Sequence, residues 1–295
     1  MQTSNDALIT KIYAEKLGYF KDEFVSLFTN KRQAKKMYPI INRGTWARVY
    51  TVRQILLRFL AANSGKVNVL SLGAGFDSTY FWLRKKLGED KTTADHINWL
   101  EVDFHDVVKQ KHDFIKDKEK LSSLVGAFTF VDNDLVADGY KVFTCDVRDG
   151  HILKQKFDAC KVDRTLPTLL VTECLMIYMT GSESTGVYNW IRDYFTGDFV
   201  SVNYEMINPD DAFGKMMVTN LEERGCQLLG IVDCPNVEAQ IKRMQAILST
   251  GETSRLKIEC LPLNTIYNTK LNGEGEKTRI ERIELFDEFE EWELL

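Results

Sequence analysis

The stretch that most constrains this chain is residues 67–77, VNVLSLGAGFD. Val67, Val69, Leu70 and Leu72 make a short apolar run with β-branched residues, stopped abruptly by glycine. That is the pattern of a strand buried on both faces in a parallel sheet. Gly73-Ala74-Gly75 supplies a turn whose backbone can adopt dihedrals that other residues resist and can come close to a ligand. Residues 78–87 continue with helical character. A strand, a glycine turn and a helix open an α/β nucleotide-binding domain, a mostly parallel sheet with helices on both faces.

The turn also limits the ligand. A dinucleotide fingerprint uses a third glycine for close helix–strand packing, but Ser78 stands at that position. Asp77 places negative charge where a pyrophosphate would lie. Two glycines followed by an acid suit a ligand without phosphates, such as S-adenosylmethionine. From the glycines alone, a tight turn that binds nothing is an equal reading.

The chain has 295 residues, 44% of them hydrophobic, which fits one large α/β domain with an insertion. A net charge of −5 argues against non-specific nucleic-acid or anionic-membrane binding. No apolar run approaches the ~18–20 residues of a membrane span, and residues 1–16 lack a signal-peptide core. The six cysteines form no C-x-x-C pair, as expected for reduced thiols of a cytoplasmic protein. The four histidines show no metal-ligand spacing, so no metal is expected.

Along the chain, residues 5–29 read as helical around a break at Gly18, and the basic run 31–36 as a solvated helix face or a contact for an acidic partner. Pro39 breaks the chain before a helix over 45–61. Residues 97–103 form the second strand, with Glu101 and Asp103 at the carboxyl end where ribose hydroxyls are expected; Asp95 competes by spacing but precedes the strand. Residues 104–118 read as a helix with His105 and His112 on its surface, and 119–140 as a polar connection. Strands follow at 141–145, 167–172 and 199–204. Glu173 ends the second of these among apolar residues, which is costly unless it meets a partner. It is therefore a site candidate, or else a cap for the next helix. A helix over 213–224 and further helical sequence to 248 look like an insertion, 270–278 is loop-like, and 280–295 is acidic and amphipathic. The predicted organisation is one domain over 1–295: a helical cap (1–65), a cofactor-binding core (66–204), a helical insertion (205–250) and a C-terminal segment (251–295).

These residues carry a resemblance. Residues 42–49, 72–77, 101–104, 146–149, 167–179, 203–205, 211–214 and 283–290 resemble, in order, the leucine carboxyl methyltransferases. Those enzymes use S-adenosylmethionine to methyl-esterify the C-terminal leucine of protein phosphatase 2A catalytic subunits. The resemblance implies a class I methyltransferase fold whose first helices close over the cofactor. It puts Gly73, on the Gly73–Gly75 turn, against the cofactor's methionine part, Asp103 on the ribose, Asp146 and Val147 on the adenine, and Glu173 at the methionine end. Arg48 would pair with the carboxylate of cofactor or substrate, Lys11 would lie at the same site, and Tyr178 and Tyr204 would be pocket walls.

A C-terminal carboxyl, with a reference pKa of ~3.3–3.7, arrives ionised and needs no general base. It needs a cation and alignment, the latter worth ~7–11 kcal/mol, and an arginine fork matches its two oxygens. The resemblance thus implies the phosphatase tail as partner of a monomeric enzyme. Three features depart from the family: Ala212 stands where arginine is usual, the segment between the second and third strands differs, and the sequence stops at Leu295 where a last, antiparallel strand is expected. Small-molecule O-methylation on the same fold, tRNA modification and a non-catalytic, cofactor-binding regulator are the competing readings; the acidity and the lack of room for a repeat domain disfavour the tRNA reading.

Overall fold

The computed structural model describes residues 2–30, 36–88, 96–248, 257–271 and 275–285. Two helices, α1 (Gln2–Lys16) and α2 (Pro39–Ala62), precede the sheet. The apolar run forms β1 (Val67–Leu72), paired in parallel with β2 (Ile97–Asp103) on one side and β6 (Thr168–Glu173) on the other. Both faces of β1 are covered, so Val67, Val69, Leu70 and Leu72 are buried on its two sides instead of alternating with exposed residues, and Asn68 is buried with them. With β3 (Phe128–Val131), β4 (Asp134–Ala137), β5 (Tyr140–Thr144) and β7 (Phe199–Tyr204), the sheet runs β3-β4-β5-β2-β1-β6-β7. The strands β5-β2-β1-β6-β7 are mutually parallel, which is the class I methyltransferase arrangement. The order reverses at β1, so a crevice opens between β1 and β6 at their carboxyl ends.

Helices cover both faces. On one, α2, α3 (Thr79–Leu87) and α4 (His105–Asp117) bury Leu56, Phe81 and Val108 against Val69 and Trp99. On the other, α6 (Gly150–Ala159) and α7 (Gly181–Tyr194) bury Phe157 and Ile191 against Leu70 and Phe143. The Glu119–Val125 helix, α5, follows α4. Beyond β7 the chain forms α8 (Ala212–Glu222) and α9 (Val237–Leu248). Lastly α10 (Leu263–Thr269) and α11 (Glu276–Glu281) pack back on α1 and α2 through Tyr267, Leu271 and Ile280 against Trp46 and Ala14. Glu284 fastens this return: its carboxylate accepts from the Tyr19 hydroxyl and Asn42 Nδ2, and its carbonyl accepts from Arg43 Nη2.

Several expectations change. Pro39 starts α2 instead of breaking the chain, because its fixed φ and missing N–H suit a first helical turn. Residues 5–29 are not one broken helix: α1 stops at Lys16, and beyond Gly18 there is only a 3₁₀ turn, Val25–Phe28. Residues 119–140 hold a helix and the β3–β4 hairpin, closed by Asp132 and Asn133 at φ 51° and 66°. Asx residues tolerate such a two-residue turn. His112 has partners, stacking on Phe130 with centroids 4.0 Å apart. No strand pairs beyond β7 among the described residues. Asp95, the basic run at 31–35 and the tail at 286–295 lie outside the described residues.

Two buried ion pairs hold the glycine turn's surroundings. Asp22 accepts from the backbone N–H groups of Phe24 and Val25 and from Ser78 Oγ at 2.8 Å. It also pairs with Arg53, whose guanidinium lies 4.2 Å from the Trp82 ring centroid. Ser78, the departure from the third glycine, thus ties α3 to the N-terminal segment. Glu101 accepts from Lys111 Nζ at 2.5 Å, Trp99 Nε1 at 3.0 Å and the Tyr140 hydroxyl at 3.2 Å. Lys111 Nζ also donates to the Asp77 carbonyl at 3.1 Å, and both members of the pair are 1% exposed. Glu101 is therefore a structural acid, leaving Asp103 as the ribose candidate. Removing one member of such a pair strands the other charge. Lys111→Ala should lose about 3–5 kcal/mol of stability, and the double variant Lys111→Met/Glu101→Gln should recover most of it. Urea unfolding reads both; an unchanged midpoint in Lys111→Ala would show that the pair contributes nothing.

Candidate active site

The site grows from the turn after β1. Gly73 and Gly75 have φ of 61° and 53°, the left-handed region. A Cβ on Gly73 would stand 2.8 Å from Leu175 Cδ1, and one on Gly75 would stand 3.4 Å from the Ser4 side chain of α1. Both positions thus favour glycine for conformation, and Gly73 also for the close approach of Leu175, while Ser4 packs over Gly75 at ordinary contact distance. Asp103, at the end of β2, accepts from the Gly75 N–H at 2.7 Å and the Phe104 N–H at 2.7 Å. Burial raises its carboxyl above the ordinary range, and those two N–H groups oppose the rise.

Asp77 caps α3 by accepting from the Thr79 N–H at 2.7 Å, and its other oxygen meets Lys11 Nζ at 2.5 Å. Burial alone would raise this carboxyl, but the Lys11 ammonium overrides it and holds Asp77 well below the usual range. Arg48, on α2, brings Nε to 3.2 Å from Glu173 Oε2, and its guanidinium lies 5.3 Å from the Tyr204 ring centroid. Burial works most strongly against its charge, but Glu173 together with the neighbouring Tyr204, Cys174 and Asp77 more than offsets it, and the guanidinium stays protonated. Burial pushes the Tyr204 phenol up to about 12, so the ring is a neutral wall. Lys11, Arg48, Gly73, Gly75, Asp103, Glu173 and Tyr204 therefore gather at the carboxyl ends of β1, β2, β6 and β7.

The remaining candidates stand around this group. Asp146 and Val147 follow β5. Val147 is buried, while Arg148 donates to both Asp146 oxygens and, foremost by those hydrogen bonds, holds that carboxyl low. Tyr178 packs into the apolar cluster of Ile177, Leu228 and Ile231 under the insertion. Arg43 turns away to Glu284. Ala212 is the exposed first residue of α8, behind the Asp211 cap. The capping role open to Glu173 is filled by others. A Thr180–Glu183 capping box starts α7, and Glu205 accepts from the N–H groups of Leu175, Met176 and Ile177 at 3.2, 2.8 and 3.3 Å. Sequence reasoning passed over Glu205. Its signal was an acid directly after β7, beside the end of β6, since Glu173 pairs in register with Tyr204. Cys174 sits between them at φ 50°, a conformation costing a residue with a Cβ about 1–2 kcal/mol. Burial pushes its thiol up to about 12, so it is no nucleophile. No group of metal-binding side chains occurs among the described residues.

The model of the family described as leucine carboxyl methyltransferase matches residues 1–192. The chain belongs to that family. It is 37% identical to a leucine carboxyl methyltransferase 1 homolog of Arabidopsis thaliana over 99% of this chain and 85% of the relative. It is 33% identical to the Rattus norvegicus leucine carboxyl methyltransferase 1, covering 98% and 84%, and 34% identical to that of Schizosaccharomyces pombe, covering 100% and 90%. As a leucine carboxyl methyltransferase it is an S-adenosylmethionine-dependent carboxyl methyltransferase. The site fits that cofactor. Its two ion pairs, Arg48–Glu173 and Lys11–Asp77, offer both charges to a zwitterionic amino-acid end, and the turn beside them is built on two left-handed glycines. Each Asp103 oxygen accepts one backbone N–H and keeps a lone pair for a hydroxyl. Among the described residues no helix is long and apolar enough to cross a membrane.

Replacing Asp103 removes a charged acceptor from the end of β2 and a clasp from Gly75. Asp103→Ala should weaken S-adenosylmethionine binding by about 1.5–3 kcal/mol, without creating affinity for NAD. Calorimetric titration decides this, and wild-type affinity in the variant would remove Asp103 from the site.

Proposed function

We propose that this enzyme methyl-esterifies the C-terminal leucine α-carboxylate of the protein phosphatase 2A catalytic subunit. The observation that carries the reading is the convergence of two N-terminal cations, Lys11 of α1 and Arg48 of α2, on the glycine turn and the end of β6. The match to leucine carboxyl methyltransferases from plant, animal and yeast supports the leucine acceptor. S-adenosylmethionine, when bound, supplies an electrophilic methyl group on a sulfonium.

The chain's own residues have three tasks in this reading. Arg48 and Lys11 attract an anionic acceptor that must shed water; an unpaired carboxylate would not enter such a site without a large desolvation cost. Arg48 stays charged at any working pH and can grip two oxygens at once. Glu173 and the Tyr204 ring fix the guanidinium from two sides, so little side-chain freedom remains to be lost when the acceptor arrives. Val147, Leu175 and α1 over Gly75 exclude solvent. No residue need remove a proton, because the acceptor oxygen is already ionised.

The test is transfer of labelled methyl to purified phosphatase catalytic subunit, with and without its terminal leucine, and to peptides ending in leucine or leucinamide. The intact tail should accept methyl, whereas the truncated subunit and the amide should not. Arg48→Ala should lose most turnover, and Arg48→Lys should recover part of it, since lysine lacks the bidentate fork. Unimpaired cofactor affinity with lost turnover assigns Arg48 to the acceptor; lost affinity assigns it to the cofactor's carboxylate. Methylation of the leucinamide peptide, or wild-type kinetics in Arg48→Ala, would overturn the reading.

A further inference from the structure

Glu205 is the buried acid that the proposed chemistry leaves without a task. Tyr204, at the end of β7, turns its ring to Arg48, and its carbonyl accepts from the Cys174 N–H at 2.7 Å. The next residue, Glu205, reaches under the segment after β6 and accepts three consecutive N–H groups, those of Leu175, Met176 and Ile177. The dipeptide therefore grips four successive amides of one segment. That segment starts with left-handed Cys174, sends Leu175 against Gly73 and follows directly on Glu173, the partner of Arg48. A left-handed residue with a Cβ persists only where its surroundings over-determine it, and the Glu205 carboxylate is the group that does so here.

We propose that Glu205 is a positioning residue for methyl transfer, holding the turn at 174–177 so that Glu173 faces Arg48 and Leu175 stays packed against Gly73. This rests on the site reading given above. The groups facing Glu205 are Arg243 of α9, Tyr188 of α7, and Cys174, Tyr178, Tyr204 and Cys234. Burial raises its carboxyl to about 7 against the pull of the backbone N–H groups. Ionisation strengthens its three hydrogen bonds, so cofactor binding and the charged form favour one another.

Glu205→Ala and Glu205→Gln are compared with wild type in S-adenosylmethionine titrations and in transfer kinetics on a peptide ending in leucine, with Asp103→Ala alongside. The alanine variant loses all three hydrogen bonds and should bind cofactor about tenfold more weakly or worse. Its KM for cofactor should rise more than its KM for peptide. The glutamine variant keeps an oxygen for Leu175 and Met176 but sets an amide N–H against that of Ile177, and should lose about three- to tenfold. Wild-type cofactor affinity should rise between about pH 6 and about pH 8, and the glutamine variant should not follow. A folded alanine variant with wild-type affinity overturns the proposal. If alanine does not fold, the isosteric glutamine variant decides: wild-type affinity with the wild-type pH slope overturns it. Lower kcat with both KM values unchanged also overturns it, showing only a smaller folded fraction. Wild-type affinity in Asp103→Ala would instead sink the site reading.

Discussion

Two glycines in left-handed conformation, one turn beyond the central strand, set the geometry on which the rest depends. Because Gly73 carries no Cβ, Leu175 can close on it from the β6 side, while Ser4 of α1 packs over Gly75. Asp103 then fixes the second glycine by its N–H, and Lys111 fixes Asp77 by its carbonyl. The turn is thus held by an acid from β2 and a buried lysine from α4, while its own side-chain space is given to neighbours. Stability and binding are served by different atoms of the same few residues.

The cations sit on elements outside the sheet, which gives the N-terminal helices a double role. They complete one face of the core through Leu8, Val52 and Leu56, and they carry Lys11 and Arg48 to the strand ends. Each cation already has an acidic partner from the core. That arrangement keeps the charges tolerable when the site is bare, and an arriving zwitterion or carboxylate meets groups that are already aimed.

Much of this was legible in the sequence where one physical cause dominated. The doubly covered β1 was legible because a short run rich in Val and Leu, stopped abruptly by glycine, is the pattern of a strand buried on both faces. That Asp103 and Glu173 lie at the carboxyl ends of strands was legible, but pattern did not separate Asp103 from Glu101, whose carboxylate is taken up by Lys111, Trp99 and Tyr140. Glu205 was not legible, since its role is set by register between β6 and β7 and by the backbone of another segment. The β3–β4 hairpin was hidden because half its residues face solvent, so polarity looked like a connection. Pro39 misled because a residue that stops one helix also starts the next. Arg43 and Arg48, five positions apart on α2, look alike in sequence, yet one meets Glu284 and the other Glu173.

The return of the chain onto α1 and α2 has a consequence for biogenesis. Tyr19 and Arg43 meet Glu284 across sequence separations of 265 and 241 residues. Contacts that distant close late, after their loop entropy has been offset by everything between. On the ribosome, the strands can pair and the glycine turn can form while the helices bearing Lys11 and Arg48 still lack their outer layer of Tyr267, Leu271 and Ile280. The nascent chain can therefore form its nucleotide fold before the outer layer over its cation-bearing helices, and a ribosome stalled before residue 284 would display a methyltransferase core without the Glu284 clasp on Tyr19 and Arg43.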